Sequence, residues 1–224
     1  MTLPSSHTLR VGQGVLLKND AQASANRAQF RALRLLAINL LSSPGAGKTA
    51  LLERTLRELG PRHPMAVIVG DLATDNDARR LCLPGAEVVQ INTGNVCHLD
   101  ASMIAKVLPT MALETRRILF LENVGNLVCP ASFDLGENYR VVLFSVTEGE
   151  DKALKYPRIF KTADLILVSK ADLAGPCAFA RDTALTNLGA IAPQAQILEV
   201  SSRTGEGMDT WYAWLEERVV YASR

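Results

Sequence analysis

A short polar loop between two longer segments constrains the fold of this chain more than any other feature. The loop reads SSPGAGKT over residues 42–49; an apolar run, LLAINLL, precedes it and a helix-forming run, ALLERTLREL, follows it. Gly45 and Gly47 allow a tight turn in which successive backbone N–H groups face inward. The positive end of the following helix adds to the attraction for an anion. The loop therefore predicts a phosphate-binding site between a strand and a helix.

Each position of this loop has an expected role. Lys48 reaches the β- and γ-phosphates of a nucleotide, and the Thr49 hydroxyl suits Mg²⁺. Ser42 is a departure, because the general pattern of such loops has glycine at that position. The alternative is an ordinary glycine-rich turn. The residues expected to contact the nucleotide phosphates are Ser43, Pro44, Gly45, Ala46, Gly47, Lys48, Thr49 and Ala50.

Short apolar runs alternate with segments of helical spacing along the rest of the chain. Continuous Val, Ile and Leu runs are typical of strands that are buried on both faces. Strands alternating with helices predict a P-loop NTPase fold, a three-layer α/β/α domain with a mostly parallel, twisted sheet of about seven strands. Ligands bind at the carboxyl ends of such strands. The seven predicted strands cover residues 35–41, 66–69, 88–91, 118–121, 141–146, 165–168 and 197–200.

The chain is predicted to hold one nucleotide-binding domain, residues 35–224. Residues 1–34 form an amino-terminal segment and a helix that packs on this domain. The first 18 residues mix Pro, Ser and Gly with short apolar pieces and are expected to pack loosely or to wrap around the domain, and Asp20 is expected to cap the helix that follows. Further helices are predicted at 49–59, 78–83, 102–113, 179–188 and 208–221.

Composition excludes several classes of function. The chain has 24 Lys and Arg against 23 Asp and Glu, a formal net charge of +1, so no overall field attracts nucleic acid or an anionic membrane. No apolar run approaches the roughly 20 residues that a membrane span requires. The four cysteines are scattered and no secretory leader pattern is present, which indicates a cytoplasmic protein with reduced thiols.

Two acidic residues follow predicted strands at the edge where the phosphate loop lies. Asp71 ends the second strand and Glu122 ends the fourth. With Thr49, either acid can meet Mg²⁺ or orient an attacking water, and the pattern does not divide these roles. Lys48, Asp71 and Glu122 are therefore the candidate catalytic residues, with helix capping as the alternative for each acid. The polar residues after Asp71 that extend this segment are Thr74, Asp75 and Asp77.

Two further loops are candidates for base recognition. Residues 169–172 read Ser-Lys-Ala-Asp, which is similar to the Asn-Lys-x-Asp of regulatory GTPases. Asp172 favours guanine, because its carboxylate accepts from N1–H and the N2 amino group, whereas adenine presents a lone pair at N1. Ser169 replaces the bracing Asn, which weakens the expected selectivity, and Lys170 is expected to contact the nucleotide. Ser201, Ser202 and Arg203 resemble the backbone loop over the guanine edge; the alternatives are plain turns.

One thiol and imidazole set suggests a soft-metal site. Cys97 and His98 are adjacent in a predicted loop and Cys129 lies 32 positions later. Thiolate and imidazole suit Zn²⁺ or Ni²⁺, and three ligands leave a tetrahedral position for water, another residue or a second subunit. The alternative is that these cysteines are small buried hydrophobic residues. Cys82 and Cys177 are predicted to be packing residues.

Several segments together resemble the hydrogenase nickel-incorporation GTPases, the HypB family, in register over about residues 15–221. They are SSPGAGKTALLE, GDLATDNDA, INTGNVCHLDA, LENVGNLVCPASFDLGE and SSRTGEGMDTWYAWL, with LLKNDAQASANRAQF before them. The resemblance implies a GTPase that uses GTP/GDP and Mg²⁺ and dimerises around nucleotide. It implies delivery of nickel to the large subunit of [NiFe]-hydrogenase, together with a maturation protein that donates or accepts nickel. It also implies that Cys97, His98 and Cys129 bind Ni²⁺ or Zn²⁺ near the dimer interface.

Departures from the family and competing classes limit this interpretation. Some members carry an amino-terminal Cys-rich or His-rich nickel segment; before Asn19 this sequence has no Cys and only His7, so we expect no such storage. The alternatives are a urease-type nickel GTPase, whose Cys and His are separated by proline, a P-loop small-molecule kinase, and a metal-storage scaffold. Hydrolysis is expected to be slow, because the sequence offers no evident arginine finger. Arg79 and Arg80 are the nearest candidates, but the favoured interpretation places both on a solvated helix face.

Overall fold

The computed structural model describes residues 11–72, 76–83 and 85–222, and its strands form one fully parallel sheet in the order β3-β2-β4-β1-β5-β6-β7. All seven predicted strands are present, within two residues of the predicted bounds at each end. They are β1 Leu36–Leu41, β2 Met65–Asp71, β3 Glu87–Asn92, β4 Ile118–Glu122, β5 Tyr139–Ser145, β6 Leu165–Ser169 and β7 Gln196–Val200.

The central strand shows why these runs are continuously apolar. β1 pairs with β4 on one side and β5 on the other, and all six of its residues are buried. Leu36, Ile38 and Leu40 point into one core, and Ala37 points into the core on the opposite face. Because helices cover both faces, no position of the strand meets solvent.

Helices cover both faces of the sheet, which confirms the predicted three-layer architecture. α2, α3 and α8 pack on one face around the fully buried Trp211, whose indole N–H donates to Thr55 Oγ1 at 3.0 Å. The other helices pack on the opposite face. The helices are α1 Val11–Ala32, α2 Lys48–Leu59, α3 Asn76–Leu81, α4 Ala101–Val107, α5 Lys152–Lys155, α6 Pro157–Lys161, α7 Arg181–Ile191 and α8 Met208–Ala222. Short 3₁₀ turns lie at Leu108–Thr110, Leu113–Thr115, Cys129–Ser132, Val146–Glu148 and Ala171–Leu173.

The amino-terminal helix differs from the prediction. It begins at Val11, before the predicted start of the helix, and Asp20 is an exposed residue inside the helix, not its cap. No Pro or Gly interrupts the chain between Val15 and Arg34, and nothing in that stretch stops the helix earlier. Residues 1–10, which include His7, lie outside the described residues, as do Thr74 and Asp75.

One other predicted helix needs correction, and two short helices are additional to the prediction. The helix predicted over residues 102–113 ends at Val107 and continues as two 3₁₀ turns, the first of which contains Pro109. Proline lacks the N–H that an α-helical turn requires, which accounts for the change. The short helices α5 and α6 were not predicted. In the described part of the chain, no helix has both the length and the apolar content that a bilayer span demands.

Candidate nucleotide and metal site

The carboxyl ends of β1, β2 and β4 meet at a cavity of about 420 Å³. This is the edge of a parallel sheet at which ligands bind. The phosphate loop forms one wall, and the segments that follow β2 and β4 form the others. The lining residues are Pro44, Gly45, Gly47, Lys48, Thr49, Ala50, Gly70, Asp71, Leu72, Asp77, Arg80, Glu122, Asn123, Val124 and Gly125.

The backbone of the phosphate loop requires glycine at its turns. Gly45 and Gly47 have φ of 74° and 103°, a left-handed region that strains other residues. Gly47 immediately precedes Lys48, the first residue of α2. Gly125 approaches the loop from the β4 side so closely that an added Cβ would lie 2.8 Å from Pro44 Cα. The loop is thus held between the start of α2 and the segment after β4.

The buried lysine of the loop is held by the serine that departs from the usual pattern. Lys48 Nζ donates to Ser42 Oγ at 2.9 Å, and Ser42 Oγ donates to the Ser43 carbonyl at 2.6 Å. Burial lowers the pKa of Lys48, while the nearby carboxylates, Glu122 foremost, oppose this shift. Ser42 therefore supplies a buried acceptor at a position where glycine has no side chain.

Thr49 and Glu122 face each other across the cavity floor. Thr49 Oγ1 donates to Glu122 Oε1 at 2.7 Å, and Glu122 Oε2 is buried without a hydrogen-bond partner among the described residues. Burial raises the pKa of Glu122 to about 7, against the lowering effects of Lys48 and Thr49. A hydroxyl and an unsatisfied carboxylate oxygen at one point fit the oxygen ligands that Mg²⁺ prefers. Asp71 lines the same cavity, and its Oδ1 accepts from the Leu72 N–H at 2.5 Å.

Some residues of this cavity were missed or left open by the sequence. Glu148 accepts a hydrogen bond from Ser43 Oγ; it ends the 3₁₀ turn that follows β5, three residues beyond the strand, so the pattern of an acid at a strand end that indicated Asp71 and Glu122 does not include it. Arg80 lines the cavity but pairs with Glu53 of α2 at 2.9 Å. The arginine that lines this cavity is therefore already paired with a carboxylate on a helix surface.

A second cavity, of about 220 Å³, adjoins the phosphate loop on its β6 side. Ser169 Oγ donates to the Ala46 carbonyl at 2.7 Å, so this serine braces the loop although it is shorter than asparagine. Lys170 adopts a left-handed conformation with φ of 60°, and its Nζ donates to the Gly45 carbonyl at 2.7 Å. The residues that line this cavity are Ala46, Gly47, Ala50, Ser169, Lys170, Asp172, Leu173, Ser202 and Arg203.

Asp172 joins the loops after β6 and β7. Its Oδ1 accepts from Ser201 Oγ at 2.5 Å, and its Oδ2 lies 2.9 Å from Arg203 Nε and 2.8 Å from Arg203 Nη2. The Ser201 hydrogen bond and the Arg203 charge hold the pKa of Asp172 below its usual range. Arg54 of α2 donates to the Ser202 carbonyl at 3.0 Å and fixes the backbone of the second loop. The fold thus places the candidate base-recognition residues beside the phosphate loop.

The thiol–imidazole cluster, defined here as Cys97, His98 and Cys129, lies in the loop after β3 and at the start of a 3₁₀ turn. Its three potential ligand atoms lie within 4.8 Å of one another, and each residue is half-buried. The His98 ring packs on Phe133 with centroids 3.9 Å apart, and its Nδ1 is buried without a hydrogen-bond partner among the described residues. Burial lowers the pKa of His98, and a hydrogen bond with Cys97 raises the pKa of Cys129. These soft donors fit Ni²⁺ or Zn²⁺.

The amino-terminal helix ties together the two segments that carry the cluster. Asn26 Nδ2 donates to the Ala101 carbonyl at 2.9 Å and to the Leu135 carbonyl at 3.0 Å. Asn19 bridges the same two segments, accepting from the Ala101 N–H and donating to the Asp134 carbonyl. The segment spacing is therefore set by α1, which the sequence pattern did not indicate.

A hydrogen-bonded segment also links the nucleotide cavity with the cluster. Asn123, which follows Glu122, accepts from the Leu99 N–H at 3.0 Å. Asn126 Nδ2 donates to the Cys97 carbonyl at 3.2 Å. Residues 122–129 thus contact both sites along one short stretch of chain.

The remaining cysteines differ from the prediction. Cys82 and Cys177 are exposed, so neither is a packing residue. Cys82 follows the end of α3, and Cys177 lies in the surface turn before α7. The neighbours of Cys82, Leu81 and Leu83, pack in the core while the Cys82 thiol faces outward, and the neighbours of Cys177, Pro176 and Ala178, are themselves exposed.

Comparisons with known proteins agree with this fold. Residues 36–199 match the family model described as CobW/HypB/UreG, nucleotide-binding domain. The chain is 50% identical over 216 residues to the hydrogenase maturation factor HypB of Azotobacter vinelandii, covering 96% of this chain and 71% of that protein.

Solved structures show the same architecture. HypB from Helicobacter pylori, crystallised in complex with nickel, superposes with a TM-score of 0.86 at 37% identity, covering 92% of this chain and 97% of that one. HypB from Archaeoglobus fulgidus gives a TM-score of 0.85 at 38% identity, covering 91% and 99%. These similarities confirm the predicted P-loop NTPase fold.

Proposed function

The chain belongs to the HypB family of hydrogenase maturation factors, and on that premise we propose that it hydrolyses GTP and holds nickel for insertion into the large subunit of a [NiFe]-hydrogenase. The observation that carries the proposal is that one short segment, residues 122–129, links two sites of different chemistry. Glu122 lies at the nucleotide cavity and Cys129 in the thiol–imidazole cluster.

The phosphate side of the cavity is suited to binding a triphosphate and activating its hydrolysis. The inward N–H groups of residues 45–49 and the buried ammonium of Lys48 stabilise charge on the phosphates. Thr49 and Glu122, with Asp71 nearby, would hold Mg²⁺, which supplies further charge neutralisation when bound. Glu122 or Asp71 orients the attacking water. Because Arg80 is paired with Glu53, the rate lacks the ~10³–10⁵-fold factor that an arginine finger supplies.

The second cavity, on the β6 side of the phosphate loop, supports a preference for guanine. The Asp172 carboxylate accepts from the N1–H and amino group of guanine, and adenine offers a lone pair there instead. Lys170 and the Ser201–Arg203 loop border the same cavity. Ser169 braces the phosphate loop as asparagine does in regulatory GTPases, but it is shorter and lacks the second polar atom with which asparagine reaches the base.

The thiol–imidazole cluster supplies the cargo site. Cys97, His98 and Cys129 hold Ni²⁺ or Zn²⁺ and leave further coordination positions open, which permits transfer to another protein. Val96 and Val128 flank the ligands and are exposed, at 37% and 61% of their surface. Exposed apolar side chains beside the cluster support a homodimer across this surface and contact with a maturation protein that donates or accepts nickel. The reduced thiols are consistent with a cytoplasmic setting.

The two sites are proposed to be energetically coupled. Contacts with the γ-phosphate would order residues 122–129, and the Asn123 and Asn126 hydrogen bonds carry this change to the backbone around Cys97. By reciprocity, metal binding alters nucleotide affinity by the same factor.

Anaerobic titration of Ni²⁺ and Zn²⁺ into the nucleotide-free, GDP-bound and GTP-analogue-bound protein tests the proposal, with mass and stoichiometry monitored together. We expect metal binding that differs between nucleotide states and that is lost in a Cys97→Ala, Cys129→Ala double variant. A Cys82→Ala, Cys177→Ala double variant is the matched control, because it removes two exposed thiols that lie outside the cluster. Unchanged metal binding in the first variant would overturn the cargo site, and failure of wild-type protein to hydrolyse GTP would overturn the enzymatic part.

A further inference from the structure

The Asp172 carboxylate is almost fully occupied by side chains of its own chain. A carboxylate has about four acceptor positions, two on each oxygen. Ser201 Oγ takes one on Oδ1, and Arg203 Nε and Nη2 both lie within 3 Å of Oδ2. One position on Oδ1 is left. Guanine requires two, one for N1–H and one for the amino group, so it cannot bind this carboxylate fully while both Arg203 contacts persist.

We infer that the Arg203 guanidinium competes with guanine for Asp172 and thereby sets both the affinity and the selectivity of the nucleotide site. The guanidinium presents a fork of N–H donors, as does the N1–C2 edge of guanine, so the two groups are chemical equivalents at this carboxylate. The inference rests on the proposed guanine preference and deepens it. The sequence predicts that the backbone of residues 201–203 lies over the guanine edge; the inference adds a role for the Arg203 side chain in base selectivity.

The competing element is the side chain, because the loop that carries it is fixed. Ser201 is fully buried, and Arg54 donates to the carbonyls of Ser202 and Arg203 at 3.0 and 3.3 Å. Gly205, with φ of 93°, lies so close to Arg54 that an added Cβ would be 2.6 Å from the guanidinium. In contrast, the Arg203 side chain is 75% exposed. It can leave Asp172 for solvent without moving the backbone.

The same contact weakens discrimination against adenine. With Arg203 in place, the negative charge that faces the base is locally neutralised, and the lone pair at adenine N1 meets less repulsion. Without Arg203, the carboxylate keeps only its hydrogen bond from Ser201, so adenine faces its uncompensated charge and guanine finds the two acceptor positions it needs. Removal of the guanidinium therefore shifts the two affinities in opposite directions, which a purely structural role does not predict.

Equilibrium binding of GDP and ADP to the full chain, with and without an Arg203→Ala substitution, tests the inference. We expect GDP to bind about 3-fold more tightly to the variant, since an exposed ion pair is weak, while ADP binds more weakly than to wild type. The gain should shrink at high salt. Arg203→Lys, which keeps a charge near Asp172, should fall between the two. Arg181→Ala is the matched control, because Arg181 is also a surface arginine paired with a carboxylate, that of Glu199 in β7.

The outcomes separate the inference from the proposed function. A GDP-to-ADP affinity ratio that is unchanged in Arg203→Ala, or weaker GDP binding to that variant, overturns the role of Arg203. A wild-type protein that binds GDP no better than ADP overturns the guanine preference itself. A rise in the ratio for Arg181→Ala equal to that for Arg203→Ala would assign the effect to general surface charge and overturn the inference as well.

Discussion

The phosphate loop and the thiol–imidazole cluster lie at the same edge of the sheet but are built in opposite ways. The loop is a contiguous segment, residues 42–49, whose lysine is buried and whose backbone conformation follows from its glycines. The cluster combines two segments 32 positions apart, and its three side chains are half-buried. The loop carries its geometry in its own residues, whereas the cluster depends on whatever holds its two segments together.

The holding elements of the cluster are remote polar side chains. Asn19 and Asn26 of α1 bridge the segments, and Arg27 pairs with Asp134 at 2.7 Å. Asn26 is 1% exposed, so its amide is a buried polar group that depends on these hydrogen bonds to offset the cost of burial. A metal site of this kind can be tuned from outside its ligand set, while the phosphate loop can be changed mainly through its own residues.

Loss of the loop lysine should give the largest separation between the two sites. Lys48→Ala removes a buried charge that binds phosphate, and charged hydrogen bonds of about 1.5–3 kcal/mol imply a loss of ~10–10²-fold in GDP affinity. Nickel stoichiometry at the cluster should stay unchanged, as measured by titration in the absence of nucleotide. Lys106→Ala, an exposed lysine of α4, serves as the control. Loss of nickel binding together with nucleotide would contradict the separation of the two sites.

The buried acid of the nucleotide cavity makes stability depend on pH. The pKa of Glu122 rises from 4.5 to about 7 on burial, so the folded state holds its proton more strongly than the unfolded state. The nucleotide-free protein therefore loses stability as pH rises from about 4.5 through about 7, by up to ~3 kcal/mol. Glu122→Gln should remove this loss.

Urea unfolding between pH 5 and 8 measures the effect of Glu122. The exposed glutamate of the Leu113–Thr115 turn, changed by Glu114→Gln, should leave the pH profile of wild type intact. Equal pH profiles for wild type and Glu122→Gln would mean that Glu122 is ionised at no cost. This pH dependence belongs to the nucleotide cavity, because the thiol–imidazole cluster contains no carboxylate among the described residues.

The difference between the two sites also explains what the sequence could predict. The sheet was predicted almost completely, because runs such as 118–121 are buried on both faces and are therefore continuously apolar, a pattern that is visible in the sequence. Lys48 and Thr49 were predicted from their spacing within one loop. The bracing of the loop by Ser169, the Glu148 contact with Ser43 and the Asn26 bridge were not predicted, because each joins residues far apart in the sequence and depends on the tertiary fold.

Two of the wrong predictions, those for Asp20 and Cys82, show the limit of local patterns. Asp20 has the residue type of a helix cap, yet the helix continues through it because the residues on both sides favour helix. Cys82 has apolar neighbours, yet its turn exposes it. Type and neighbours predict a preference, and the tertiary fold decides the outcome.

Cutting the α1 bridge should weaken the cluster while sparing the loop. Asn26→Ala leaves the Ala101 and Leu135 carbonyls without their shared donor, so the free energy of unfolding should fall by about 1–3 kcal/mol. Nickel affinity, followed by thiolate-to-nickel absorbance, should fall several-fold, and GDP affinity should change less than about 2-fold. Ser24→Ala, on the exposed side of α1, is the control. Equal losses at both sites would show that α1 stabilises the whole domain and does not position the cluster.

The smallest effect is expected where the two sites meet, at Asn126. Its side chain donates to the Cys97 carbonyl and accepts from the Val128 N–H, one residue after Gly125 contacts the phosphate loop. Asn126→Ala removes about 1 kcal/mol of net hydrogen bonding, so metal affinity in the nucleotide-free protein should change by no more than ~5-fold. The ratio of nickel affinities between the GDP and GTP-analogue states should move towards one, because the connecting bond is gone.

The control for Asn126 is Asn187, a half-buried asparagine whose Nδ2 donates to the Glu150 carbonyl at 3.0 Å on the other side of the domain. Asn187→Ala removes the same type of bond and should leave the affinity ratio at its wild-type value. If Asn126→Ala keeps the wild-type affinity ratio, the coupling does not run through this hydrogen bond. The Leu99–Asn123 hydrogen bond then remains as a connection between residues 122–129 and the segment that carries Cys97. If both variants reduce the ratio equally, the two sites are coupled only through global stability, and the contrast between an autonomous loop and a dependent cluster would have to be given up.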